Sequence, residues 1–162
     1  EACSEHLEQF GGHKYAAGMT LKAENYDAFK NAFEKVVQQT IDPELLTPEI
    51  EVDTEIDFSD ISPKLMLILK QFEPFGPQNM TPVFVTKNVI DTGYPKFMGA
   101  NEEHLRLFVK QNNSEGFAAI GFNLAHKKDL VANRTPFQIA FCVDENEWNS
   151  QFSLQLRLKD IQ

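Results

Sequence analysis

The feature that most constrains this chain is a series of five strand-like runs after residue 82, interrupted by one helical stretch between the third and fourth. The runs cover residues 83–92 (98 in a longer reading), 104–110, 117–122, 137–143 and 152–159. In the second, Leu105, Leu107 and Val109 alternate with His104, Arg106, Phe108 and Lys110, the pattern of a strand with one face in a core. The fifth repeats it, with Phe152, Leu154, Leu156 and Leu158 facing in and Ser153, Gln155, Arg157 and Lys159 facing out. Residues 124–131 read as the helix, with Asn123 placed to cap it.

Five strands with a helix between strands three and four is the order of an OB-fold, so a five-stranded β-barrel is expected over residues 74–162. The segment Glu73-Pro74-Phe75-Gly76-Pro77-Gln78-Asn79-Met80-Thr81-Pro82, rich in proline, reads as a domain junction. Before it, Ala2, Leu7 and Gln9 sit at helical spacing, and Gly11-Gly12 stops that helix. Residues 16–21 read as a buried strand. A helix is expected over 24–38, with Tyr26, Phe29, Phe33, Val36 and Val37 on one stripe. Residues 49–58 alternate strictly between apolar and acidic or polar positions, predicting a strand with a solvated acidic face. Ser62-Pro63 then opens a helix to Phe72, with Ser as N-cap and Pro at its first position. The fold class expected is α+β, in two domains, 1–73 and 74–162.

The 162 residues are 42% apolar and 11% aromatic, enough to furnish real cores. The longest apolar stretch, residues 65–69, is too short to span a bilayer, and residues 1–20 lack the pattern of a signal peptide. Cys3 and Cys142 make no disulfide framework or Cys-x-x-Cys pair, which suits a reducing cytoplasm. Cys3 and His6 are three apart, but two ligands without partners make no metal site. The opening Glu1-Ala2-Cys3, without an initiator Met, is expected to belong to a longer chain. Net charge is −9, and residues 1–75 hold all of it, with 15 Asp/Glu against 6 Lys. Residues 76–162 balance, so an anionic partner would need a locally positive face there.

Two sets of residues resemble the RecJ family of exonucleases. Phe10-Gly11-Gly12-His13-Lys14-Tyr15-Ala16-Ala17-Gly18-Met19-Thr20-Leu21 is similar to the Gly-Gly-His-x-x-Ala-Ala-Gly signature of the DHH-associated domain. The second set is Phe75-Gly76-Pro77-x-Asn79, Glu103-His104-Leu105, Ile120-Gly121-Phe122, Asn146-x-Trp148 and the closing Leu154-Gln155-Leu156-Arg157-Leu158-Lys159-Asp160-Ile161. Gly-Gly-His alone would admit other DHH phosphoesterases and a similar domain of alanyl-tRNA synthetases, whereas the barrel set selects RecJ. Lys14 stands where proline is frequent and Gln78 where glycine is frequent. The resemblance implies that residues 1–73 are the end of an α/β DHH-associated domain. It further implies a 5′-to-3′ exonuclease on single-stranded DNA, with Mn2+ or Mg2+ held by an upstream DHH domain. No Asp-His-His run occurs in the sequence, so this chain alone is expected to be inactive.

The family places its motif histidine at the substrate phosphate, a role the resemblance gives to His13, with Gly11 and Gly12 leaving backbone amides open to the phosphate. Without the rest of the pattern, Gly11-Gly12 would read as a helix end and His13 as an exposed turn residue. The outward residues His104, Arg106, Phe108 and Lys110 combine cations with a ring, which single strands use for phosphate attraction and base stacking. Arg157 and Lys96 add charge to the candidate surface; Lys127, Lys128 and Lys159 equally suit a merely soluble barrel. Phe108 packed under a loop or against the first domain is the structural alternative, while Trp148 reads as the core anchor of a barrel end rather than a stacking residue. A barrel that only recruits partners, such as single-strand-binding protein or a helicase, is the competing function. A DHH enzyme acting on small nucleotides would not need residues 82–161.

Overall fold

The structure is a computed structural model describing all residues except 14, 94, 149 and 150, with the Trp148 side chain also outside the description. It divides into two compact units, Glu1–Glu49 and Ile50–Gln162.

In Glu1–Glu49, a short 3-10 turn at Ser4–His6 leads into an antiparallel hairpin, β1 (Gln9–His13) with β2 (Ala16–Thr20). The helix expected over residues 2–9 is therefore replaced by that turn. Gly11 and Gly12 do not end a helix: they pair with Gly18 and Ala17. Side-chain size explains it, because a Cβ on Gly12 would run into the Ala16 carbonyl and the Ala17 Cα. Small residues on both strands let the two backbones approach. Strand β2 is exposed along its whole length, contrary to the buried strand expected there. Helix α1 (Tyr26–Thr40) forms as its stripe predicts, with the Phe29 and Phe33 rings stacked at 5.7 Å.

Ile50–Gln162 holds β3 (Thr54–Glu55), α2 (Pro63–Lys70), β4 (Phe84–Asp91), β5 (Lys96–Met98), β6 (His104–Gln111), β7 (Phe117–Gly121), β8 (Phe137–Trp148) and β9 (Gln151–Ile161). The sheet runs β3-β4-β8-β9-β7-β6-β5, and β4 pairs with β6 as well as with β8. Five strands, β4-β8-β9-β7-β6, thus form a closed hydrogen-bonded ring. A bulge in β4 between Thr86 and Val89, with Asn88 at φ +57°, marks where one edge of the strand changes partner: β8 runs along one edge from Phe84 to Val89, while the other edge meets β3 at Phe84 and Val85 and β6 from Val89 to Asp91. Strand β9 enters parallel to β7 and antiparallel to β8. Inside the ring Val89, Leu105, Val109, Ala119, Ile139, Phe141, Leu156 and Ile161 are fully buried.

The division falls at residue 50 rather than in the proline-rich segment. Phe58, Ile61 and Leu69 belong to the same apolar cluster as the ring interior, with Ile56, Leu65 and Met66 packed on it. The expected strand over 49–58 shrinks to Thr54–Glu55, because Ile50 and Val52 find no core and stay 42% and 40% exposed. What fixes the segment is polar. Asp53 accepts from Val83 N at 2.8 Å, Thr86 Oγ1 donates to the Ile56 carbonyl at 2.6 Å, and Glu55 pairs with Lys87 at 2.7 Å. Buried Gln111 accepts from Phe58 N at 2.9 Å and donates to Asp57 at 2.8 Å and to the Lys87 carbonyl at 3.0 Å. Of the acidic residues expected to be only solvated, Asp53, Glu55 and Asp57 are thus fasteners.

The proline-rich segment is a turn inside this unit. Gly76 and Asn79 exchange backbone hydrogen bonds, and Asn79 Nδ2 donates to the carbonyls of Phe72 (2.7 Å) and Pro74 (3.0 Å). Gln78 sits at φ +70°, the region that glycine enters freely, which explains why glycine would suit that place. Helix α2 opens as expected, Ser62 Oγ accepting from Leu65 N at 3.3 Å. Residues 125–134 form a 3-10 segment, broken at Ala132 and Asn133, instead of an α-helix over 124–131. Asn123 does not cap it through its side chain; it takes φ +58° and donates its backbone N–H to His104.

Candidate nucleic-acid interface

On β6, Leu105, Leu107 and Val109 are buried while Arg106 and Phe108 are exposed, the register that the alternation predicts. Cross-strand pairing then assembles the outer face. Lys96 of β5 lies opposite Arg106, Arg106 opposite Ile120 of β7, and Ile120 opposite Arg157 of β9. Residues directly opposite share a face, and neighbouring strands are about 4.8 Å apart. Three cations therefore stand in one row across four strands. In the adjacent row Phe108 faces Ala118, and Ala118 faces Gln155, a low floor beside the ring. Lys110 follows Phe108 on the same face, half-buried.

The members differ in how free they are. Arg106 and Lys96 have no ion pair with a described residue. Arg157 leans towards Asp144 at 3.8 Å, and its enclosed Nε finds no hydrogen-bond acceptor among the described residues. Beside it, burial pushes the Cys142 thiol up from its ordinary value, against the opposing charges of Lys159 and Arg157. His104 is tied into the fold: Nδ1 accepts from Asn123 N at 3.2 Å, Nε2 lies 3.7 Å from Glu103, and the ring meets Phe122 edge-on at 5.1 Å. Lys127 joins the 125–134 segment to β9 through Asp160 (3.0 Å) and the Ile161 carbonyl (3.1 Å). It is structural. Strand β9 departs from its pattern at one end: Phe152, expected inward, is 69% exposed, because among the described residues that end of the β8–β9 hairpin pairs with no further strand.

Phe108 is 49% exposed. Its N–H donates to Asp91 Oδ1 at 3.1 Å, and its carbonyl accepts from Thr92 N at 2.8 Å. Asp91 is a buried carboxylate that sequence reading missed; its only signal was an acidic residue closing an apolar run. Burial raises its pKa above the ordinary 3.8, opposed by the backbone hydrogen bonds from Phe108 and Gly93. The folded state therefore binds the Asp91 proton more tightly than the unfolded chain does. Stability from this group is present at pH below the ordinary carboxylate value and is lost as pH rises through the raised one. Asp91→Asn keeps an oxygen acceptor and has no such proton. Measured by urea unfolding from pH 4 to 7, the variant should gain on the parent as pH rises; a variant that falls behind would sink this account.

In the other unit, His13 closes β1, exposed, with Nδ1 accepting from Tyr15 N at 3.3 Å. That bond places the proton of the neutral ring on Nε2, leaving a donor on the far side. Gly11, Gly12 and His13 line a cavity of about 520 Å3 together with Phe10, Met19 and Phe33. No group of three or more His, Cys, Asp or Glu among the described residues is arranged to hold a metal ion. No described helix is long and apolar enough to cross a membrane.

Residues 52–160 match the family model described as the RecJ OB domain. The single-stranded-DNA-specific exonuclease RecJ of Bacillus subtilis is 30% identical over 98% of this chain, and that of Salmonella typhimurium 26% identical over 94%. The chain spans 20% and 26% of the length of those relatives. The crystal structure of Thermus thermophilus RecJ in complex with Mn2+ covers 99% of the chain with a TM-score of 0.72 at 22% identity, the chain spanning 22% of it. The register of β6, the closed ring and these matches agree, and the chain belongs to the RecJ family, whose OB domain it carries.

Proposed function

We propose that this chain grips single-stranded DNA for a 5′-to-3′ exonuclease. Ile50–Gln162 acts as a five-stranded OB-fold barrel, and the segment before it is the end of a DHH-associated domain. The observation that carries the reading is the row Lys96, Arg106, Arg157 beside the half-open Phe108 ring. In OB-folds the face of the second and third strands binds oligonucleotides. Strands β6 and β7 hold those places in the ring. Cations draw the phosphates in, the ring offers a base a stacking surface, and Ala118 leaves room beside it. Lys110 extends the positive face, while His104 serves mainly the turn at its end. The Nε2–H of His13 and the one outward-facing amide of the Gly11-Gly12 pair supply donors to a substrate phosphate at the hairpin. The relatives named as exonucleases support the whole-protein activity, and T. thermophilus RecJ in complex with Mn2+ supports use of Mn2+ or Mg2+. The described residues do not fit a metal centre, so cutting is assigned to no residue of this chain, which alone grips without hydrolysing. Reduced Cys3 and Cys142 suit a cytoplasmic setting, with single-strand-binding protein or a helicase as working partners.

Binding of a labelled oligothymidylate to the chain across a salt series tests this. Ile50–Gln162 carries 15 Asp/Glu against 11 Lys/Arg, so the row must work against a net negative unit, and the titration belongs at low salt. Three phosphate contacts predict a slope of log affinity against log salt of about −2. A surface that only docks proteins would bind no oligonucleotide at any salt.

A further inference from the structure

Phe108 can serve as a stacking surface only if its ring is held with one face open, and the structure shows what lies under the other. A Cβ built on Gly116 would stand 2.5 Å from Phe108 Cε1, 2.9 Å from Cζ and 3.3 Å from Cδ1. The ring therefore lies down over the Gly116 backbone at the entrance to β7. All three nearest atoms belong to that ring, and none to the backbone. Nor does backbone conformation explain the residue: of the described glycines, Gly99 alone has a positive φ, at +96°. The loop that carries Gly116 is itself braced, Ser114 N donating to the Gln111 carbonyl at 3.0 Å and Gln111 N to Ser114 Oγ at 3.3 Å. Gly93, on the other flank, differs. Among the described residues a Cβ there would meet only Phe108 Cβ, at an ordinary 3.7 Å.

We infer that Gly116 is a positioning residue: its missing side chain seats the Phe108 ring against the loop and so fixes which face a base can stack on. This deepens the reading of β6 as a DNA-gripping face and rests on it. A side chain at 116 cannot share the space. The ring must swing out, because it is the movable partner, and the open face turns with it. The fold stays, since nothing but the ring is displaced.

The test uses the 162-residue chain and a labelled oligothymidylate at low salt, with Gly116→Ala, Phe108→Ala, the two combined, and Gly93→Ala as control. Loss of one stacked base corresponds to about fivefold or more in affinity. Gly116→Ala and Phe108→Ala should each show that loss, the combination should be no weaker than Phe108→Ala alone, and Gly93→Ala should bind as the parent does. Melting temperatures should stay together. In the parent, the Gly116 Hα resonances should be displaced by the ring current and return to ordinary values in Phe108→Leu. If Phe108→Ala weakens binding and Gly116→Ala does not, the positioning role is overturned while the gripping face stands. If Phe108→Ala binds as the parent does, the face itself is wrong and this inference falls with it. Early melting of Gly116→Ala would mean that its Cβ meets backbone instead of the ring, which also overturns the inference, as would unshifted Gly116 protons.

Discussion

Phe58→Ala should cost the Ile50–Gln162 unit about 3 to 5 kcal/mol, the usual penalty for emptying a buried aromatic site. Phe58 is 2% exposed and meets Phe117 at 5.2 Å and Phe141 at 6.3 Å, both edge-on. Those two rings come from β7 and β8, so Phe58 plugs the ring from a segment outside its five strands. Gln111 holds the plug in place through Phe58 N, and that buried amide would have to find new partners if the segment moved. Urea unfolding measures the loss. Ile50→Ala, at a position with little burial, should stay within about 0.5 kcal/mol of the parent. A version cut to residues 74–162 should fail to fold cooperatively, whereas one cut to 50–162 should retain the transition. A Phe58→Ala loss below about 1 kcal/mol, far under the usual cost of an emptied core site, would show that residues 50–72 merely lie against the ring of strands.

The second large effect is on binding. Arg106→Ala combined with Phe108→Ala should weaken single-strand affinity by at least the roughly 1 to 3 kcal/mol of one stacked base, and should flatten the salt slope by about 0.7, the share of a single phosphate on a single strand. Neither side chain is buried, so stability should hold. Leu107→Ala, between them in sequence but 3% exposed, should instead cost about 2 to 5 kcal/mol and leave the cation row in place. The pair of experiments separates surface from core on one strand. Unchanged binding in the double variant would mean that DNA uses another face.

Much of this was legible because alternation is a local signal. Leu105 to Val109 declared their faces in the sequence, and the cross-strand row followed once β5, β7 and β9 found their register. Residues 49–58 carried an equally clean alternation and misled. A strand needs a ladder partner along its length as well as an apolar side, and here only Thr54 and Glu55 pair with β4, with Asp53 N and Ile56 N donating to the Val83 and Val85 carbonyls at the two ends. The proline-rich turn misled for a different reason. Its composition does break regular structure, but Asn79 knits the break back onto α2, and composition cannot tell a turn within a core from a link between cores. At the start of the chain, helical spacing of three residues was too little evidence against the pairing energy of a whole hairpin. The Gly116 approach was invisible for a simpler reason: it joins a strand to a loop eight residues on, and only the rotamer of Phe108 reveals it. Trp148, expected as a core anchor, has a side chain outside the described set.

Strand β9 fills the gap between β7 and β8, running beside β8 from Trp148 to Ile139 and beside β7 from Ala118 to Gly121. Synthesis delivers it after the other four strands of the ring. Until it emerges, β4, β6 and β7 can form only an open curl, and β7 and β8 each present an unpaired edge to the crowded space around the ribosome. Closure of the ring thus waits for Gln151–Ile161, and a chain stalled before that point should leave the edges of β7 and β8 open. Chaperone dependence during translation should accordingly be greatest in the interval between the completion of β7 and the arrival of β9, and should fall once β9 closes the ring.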